Sequence, residues 1–155
     1  MTFSNQISTV LNPDRVLVLE TSKKNDALKL LIDRLAAAPE VKDRQELYEG
    51  IFHREELMST GIGLGIGVPH VRLSSIENPV MCVGLCRNPI TDYESLDGRP
   101  IRLIFMIAAG KDQHAEHLRL LAKVSSKLKD DKLRQALINA SDETIFYQIL
   151  TQKDD

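Results

Sequence analysis

The sequence predicts an α/β fold: a central mixed β-sheet flanked by helices, an α/β sandwich built as a single domain over residues 1–155. Three observations carry the prediction. Runs rich in Val, Ile and Leu, each of strand length, occur at 15–20, 79–87 and 101–108, and the segments around them place apolar residues at helical spacing. Strands and helices alternate instead of segregating into halves, the pattern of helices layered on a sheet. With 155 residues the chain is one domain by size, long enough to bury a core and too short for two ordinary catalytic domains.

Each element has a local reason. After a short amphipathic turn carrying Ile7, Val10 and Leu11, the VLVL within Arg15 to Glu20 suits a buried strand. Ser22 is placed to cap a helix with Leu28, Leu31 and Leu35 on one face, and Pro39 after three alanines punctuates its end. Asp43 is the expected N-cap of a second helix running to about Leu57 or Met58. A glycine-rich segment follows. Pro79 opens a strand through about Arg87, and Pro100 opens another over Ile101 to Ala108. Between these two, Asn88-Pro89 and Asp97-Gly98 signal turns, with room for a small irregular strand. The last third is helical in pattern. Asp112 is the expected cap of its first helix, and Asp130-Asp131 and Ser141-Asp142 divide it into segments near 112–129, 131–139 and 142–150.

Composition narrows the function classes. Hydrophobic residues make up 43% and charged residues 27%, with 20 basic against 22 acidic side chains and a formal charge of -2. That balance lacks the basic excess that phosphate-dominated nucleic-acid binding requires. The strongest apolar run, Leu103 to Ala109, falls far short of the roughly 18 residues of a membrane span. The opening MTFSNQISTVLNPD has neither a basic n-region nor an apolar h-region. A cytoplasmic protein without membrane insertion is expected. Cys82 and Cys86 fall on one face of a strand, about 13 Å apart and too far for a disulfide, so buried reduced thiols are expected.

Glycine is distributed unevenly. Four of the eight, Gly61, Gly63, Gly65 and Gly67, precede Pro69 and His70. A dinucleotide fingerprint fails in every register, because its last position is Ile66, Val68 or His70, and no GK[ST] completes a Walker loop. What remains is alternation with Ile62, Leu64, Ile66 and Val68. In an extended segment this makes one apolar face, available for partner docking where exposed, and one bare face that another backbone can approach. Pro69 then restricts the geometry with which the chain reaches His70, at the end of a strand-like run where a scaffold gives way to a loop.

Two further polar residues interrupt apolar stripes. Arg54 shares the spacing of Leu47, Ile51 and Met58, so it either meets an anion or acceptor or snorkels to water. His117 shares that of Leu121, Val124 and Leu128 in a first helical turn, where unpaired amides favour negative charge. Two histidines and an arginine that converge there would suit phosphoryl chemistry. A neutral imidazole attacks phosphorus through one nitrogen while an acceptor holds the proton on the other, and the second imidazole and the guanidinium stabilise the transferred charge. Without a Walker loop or a Mg²⁺-binding motif, a phosphoprotein is the expected donor, and no cofactor is expected.

The segments REELMSTGIGLGIGVPHVR, LDGRPIRLIFMIAA and HAEHLRLLAKVSSKL resemble the enzyme IIA domain of the fructose and mannitol class (type 2) of the bacterial phosphoenolpyruvate-dependent sugar phosphotransferase system. The resemblance extends from about Ile7 to about Gln152. It implies that His70 accepts a phosphoryl group from the histidine-containing phosphocarrier protein and passes it to a cysteine of an enzyme IIB. By the same match His117 is the second site histidine and Arg54 the phosphate-stabilising arginine. Val71 stands where many relatives have glycine, and it is expected to restrict a loop there and narrow access. Neither cysteine matches a IIB phosphocysteine loop, so the protein is expected to act in trans, serving a transporter or, like stand-alone nitrogen-type IIA proteins, controlling another protein. His114 ranks below His117 because it precedes the H-L-x-x-L-A run, and His53 is expected on a solvated helix face. A zinc site of His70, His114 and His117 lacks a carboxylate or cysteine ligand motif, so no metal is expected.

Overall fold

Two neighbouring strands are apolar on both faces because both faces are covered. In the computed structural model, β5 (Val80–Ile90) and β6 (Ile101–Gly110) pair antiparallel, from Val80 opposite Ala108 to Leu85 opposite Leu103. Met81, Val83 and Leu85 of β5 join Leu103, Phe105 and Ile107 of β6 in one core, and Val80, Cys82 and Cys86 join Ile104, Met106 and Ala108 in the other. Runs that bury both faces lose the in-and-out alternation of a half-exposed strand. Residues 7–152 are described; 1–6, the start of the segment read above for a leader, and 153–155 lie outside them.

β1 (Val16–Leu19) adds in parallel to β5. On the far side, β3 (Ile66–Gly67) and β4 (His70–Leu73) both lie parallel to β6, end to end, and β2 (Gly61–Gly63) pairs antiparallel with β3. The order is β1-β5-β6-β3-β2 with β4 on β6, a mixed sheet as expected. Helices α1 (Lys24–Ala36) and α2 (Arg44–Leu57) cover one face through Leu28, Leu31, Leu35, Leu47 and Ile51. The other face carries α3 (His114–Lys127), α4 (Asp131–Ile138) and α5 (Glu143–Thr151), packed through Leu120, Val124, Leu137, Phe146 and Leu150. Among the described residues no helix is long and apolar enough to cross a membrane.

Capping is as expected at Asp43, Asp130 and Asp142, whose carboxylates accept first-turn amides. At two helices it differs. Ser22 does not cap α1, whose Lys24 amide is taken by Asp92 of a distant loop at 2.9 Å. Asp112 does not cap α3; Gln113 holds that position, and its side-chain oxygen accepts the Gly110 amide at 2.7 Å. The strands also run longer than their turn signals suggest. β5 passes through Asn88-Pro89, where a register shift between Leu85 and Ile90 absorbs the proline. The expected irregular strand reduces to one bridge between Ser95 and Gly61.

The glycine-rich segment is a hairpin and not a single extended run. β2 and β3 meet at Leu64-Gly65, both with positive φ (60° and 76°), the backbone of a two-residue turn that follows strand twist. Leu64 is kept in that conformation by the Asp97 carboxylate, which accepts its amide at 2.8 Å. Asp97 thus does more than form its own turn: accepting the Leu64 and Arg99 amides holds its carboxyl below the usual range. The alternating apolar face divides at the turn, with Ile66 and Val68 buried and Leu64 exposed. The bare face is used as expected. A Cβ at Gly61 would stand 2.2 Å from the Glu94 carbonyl oxygen, and one at Gly67 would stand 2.8 Å from the Tyr93 ring. Cys82 and Cys86 are free and buried, and burial pushes both thiols up to about 12.

Candidate functional site

Among the described residues β4 pairs with β6 alone, and its open edge looks into a cleft of about 670 Å³ between α2 and α3. His70, His117 and Arg54 all line it. The structure therefore brings together the three residues singled out from the sequence, from a strand and from helices on opposite faces of the sheet.

His70 does not end a strand that gives way to a loop; it begins β4, in register with Ile107. The reason is Pro69. It has no amide proton to give the ladder, so the edge is interrupted at Val68-Pro69, yet its carbonyl accepts the Ile107 amide at 3.0 Å and pairing resumes at once. His70 is half-buried, with Nδ1 2.7 Å from the Val68 carbonyl oxygen. A carbonyl only accepts, so Nδ1 carries the proton and Nε2 carries the lone pair. Desolvation lowers the pKa of His70, the Val68 bond opposes this, and the Arg54 charge lowers it further. The resting ring is neutral at neutral pH.

His117 lies in the first turn of α3, buried, with its ring centroid 5.1 Å from that of His70 in an edge-on arrangement. Its Nδ1 is buried without a hydrogen-bond partner among the described residues. Burial, followed by the neighbouring His70, Arg72 and His114, lowers its pKa to about 4. Two neutral imidazoles thus face each other.

Arg54 sits differently from its predicted stripe. The buried stripe of α2 is Leu47, Ile51 and Glu55, while Met58 is exposed. Steps of four keep those three in line, whereas Arg54 falls to the flank, half-buried, with Nη1 donating to the Met58 carbonyl at 3.0 Å. Glu55 is tolerated in the core because Lys24 Nζ stands 3.0 Å from one carboxylate oxygen and the Thr60 amide and hydroxyl bond the carboxylate.

Sequence reasoning missed Glu55 and Arg72. The i, i+4, i+8 spacing from Leu47 held the signal for Glu55. Arg72 becomes legible once His70 is known to start a strand, because residues two apart share a face; it donates to the Lys111 carbonyl at 3.2 Å beside the cleft. Val71 restricts no loop. It is a strand residue whose side chain packs on α2, where a Cβ at Gly50 would stand 2.8 Å from it. His53 and His114 are exposed and both reach the cleft rim. No group of three or more His, Cys, Asp or Glu among the described residues converges as metal ligands. The site combines a bare imidazole nitrogen, a second neutral imidazole and the cations Arg54, Arg72 and Lys111. Its walls include Leu57 and Leu118, both exposed. Such a cleft can receive a tetrahedral anion from a protein surface.

Comparison with known proteins places this geometry. The fructose-specific EIIABC component of Bacillus subtilis is 37% identical over 138 residues, 89% of this chain and 22% of that protein, so the chain spans less than a quarter of that relative's length. A nitrogen regulatory protein of Pseudomonas aeruginosa is 32% identical over 94% of both chains. The crystal structure of nitrogen regulatory protein IIA-Ntr from Neisseria meningitidis superposes with a TM-score of 0.85 at 25% identity, covering 94% of this chain and 99% of that one. The family described as phosphoenolpyruvate-dependent sugar phosphotransferase system, EIIA 2, matches residues 9–153, and the chain belongs to that family.

Proposed function

We propose that the protein carries a phosphoryl group on Nε2 of His70, accepted from the histidine-containing phosphocarrier protein and passed to a cysteine of an enzyme IIB. The observation that carries this reading is the Val68 carbonyl on His70 Nδ1, which leaves Nε2 as the nucleophile. In each transfer one P–N bond breaks as another bond to phosphorus forms, and Nδ1 keeps its proton. His117 and Arg54 hold the charge of the phosphoryl oxygens as it passes. The exposed Leu57 and Leu118 line the cleft with apolar surface suited to a transient protein partner. Incubation with phosphoenolpyruvate, enzyme I and the phosphocarrier protein yields one acid-labile phosphoryl adduct by intact mass, and His70→Ala abolishes it. An adduct that survives that substitution overturns the assignment.

A second reading has support of its own. Relatives named nitrogen regulatory proteins match this chain over nearly their full length, which favours a switch whose phosphorylation changes its affinity for another protein. A carrier discharges rapidly to a IIB domain in a rapid-quench assay. A switch keeps its phosphate in the same assay.

A further inference from the structure

Behind the cleft, on the side away from solvent, the hairpin and the loop at 93–95 enclose a polar cluster that the chemistry at His70 does not touch directly. Glu55 is 9% exposed and Thr60 4%. The Glu55 carboxylate accepts both the amide and the hydroxyl of Thr60. A hydroxyl has one proton, and a carboxylate can only accept it, so the Tyr93 hydroxyl, 2.6 Å from Thr60 Oγ1, must be the donor to Thr60. Tyr93 keeps that proton, since burial and then the Glu55 charge raise its pKa. Lys24 closes the cluster, pairing with Glu55 and lying 4.4 Å above the Tyr93 ring centroid. Every direction of hydrogen bonding is thereby set.

The cluster leads to the active ring. The Thr60 carbonyl accepts the Val68 amide at 3.0 Å, and the Val68 carbonyl accepts from His70 Nδ1 at 2.7 Å. Tyr93 also packs on the bare backbone of Gly67, one residue before Val68. Val68 needs this second anchorage because Pro69 breaks the ladder beside it. We infer that Glu55, Thr60 and Tyr93 are positioning residues that fix the Val68 carbonyl, and through it the orientation and Nδ1–H tautomer of His70.

The inference rests on His70 as the phosphoryl acceptor, and its test separates the two ideas. Thr60→Val keeps shape and backbone but removes the hydroxyl that joins Glu55 to Tyr93. In the unphosphorylated protein labelled with ¹⁵N-histidine, the wild-type ring shows the Nδ1–H form, whereas Thr60→Val shifts its signals toward a mixture with Nε2–H. The rate of phosphoryl acceptance falls about tenfold to a hundredfold, the range expected when a reacting group is misplaced, and Thr60→Ser restores both readouts. Tyr93→Phe, which removes a single hydroxyl, gives the same change in smaller degree and serves if Thr60→Val does not fold. A folded Thr60→Val or Tyr93→Phe protein with the wild-type tautomer and rate overturns the inference. The tautomer is read without phosphate, so loss of the Nδ1–H form in a protein that never becomes phosphorylated sinks the carrier reading and leaves the positioning role standing.

Discussion

The two ends of α3 each bury a polar side chain, and they treat it in opposite ways. At the C-terminal end Arg134, 8% exposed, donates to the carbonyls of Leu128 and Lys129 and to the Asp131 carboxylate, at 2.8, 3.1 and 2.7 Å. At the N-terminal end His117, 4% exposed, leaves Nδ1 without a partner among the described residues. A buried polar atom left unpaired costs about 1–3 kcal/mol. Arg134 therefore secures the junction of α3 with α4, while His117 bears a cost that the fold does not require. Burial alone does not separate the two groups; their hydrogen bonds do, complete at Arg134 and open at His117 Nδ1.

The comparison can be broken at either end. The largest effect is expected at the cleft. His117→Ala lowers the rate of phosphoryl transfer about a hundredfold or more, the contribution typical of a positioned imidazole, and leaves the urea midpoint nearly unchanged. Rapid-quench kinetics with equal rates for wild type and variant would remove His117 from the site. Arg134→Met does the reverse. It leaves the buried Leu128 carbonyl without its donor, lowers unfolding free energy by about 2 kcal/mol, and leaves the transfer rate of the folded protein intact. A rate loss there would mean that the two ends are coupled.

A smaller effect sharpens the contrast through pH. Burial holds the pKa of His117 near 4 against an ordinary value of 6.5, so the unfolded chain binds a proton that the folded chain refuses. The stability His117 permits is complete above about pH 6.5 and is lost as pH falls toward 4. His70 is shifted in the same direction. Urea midpoints compared at mildly acidic and neutral pH show a shallower pH dependence in His117→Ala than in wild type. An unchanged dependence would show that His117 does not carry the loss.

Much of this was legible without coordinates. The doubly buried β5 and β6 announced themselves as apolar runs, and the three aspartate caps at 43, 130 and 142 sat directly before helical patterns. His117 and Arg54 stood out by sharing the spacing of apolar residues, which the structure upholds for His117 and not for Arg54, and His70 stood out as the residue to which Pro69 restricts the approach. The errors share a cause. Ser22 and Asp112 are good local caps, but Asp92 and Gln113 supply or redirect the bonds at those helix starts. The glycine run reads as one extended strand until Asp97, thirty-three residues away, holds Leu64 at positive φ. Arg54 and Glu55 are adjacent, and only the packing of α1 and the hairpin decides that the carboxylate faces inward and the guanidinium toward the cleft.

By itself the sequence determined the α/β sandwich, the five helices with β1, β5 and β6, and which side chains could do chemistry, because periodicity and residue type act over a few neighbouring positions. Tertiary structure alone decided which nitrogen of His70 is free, which polar groups are satisfied, and that β4 with its flanking helices forms one cleft. Those properties depend on partners far apart in the chain, and a hydrogen bond acts across about 3 Å of space whatever the separation in sequence.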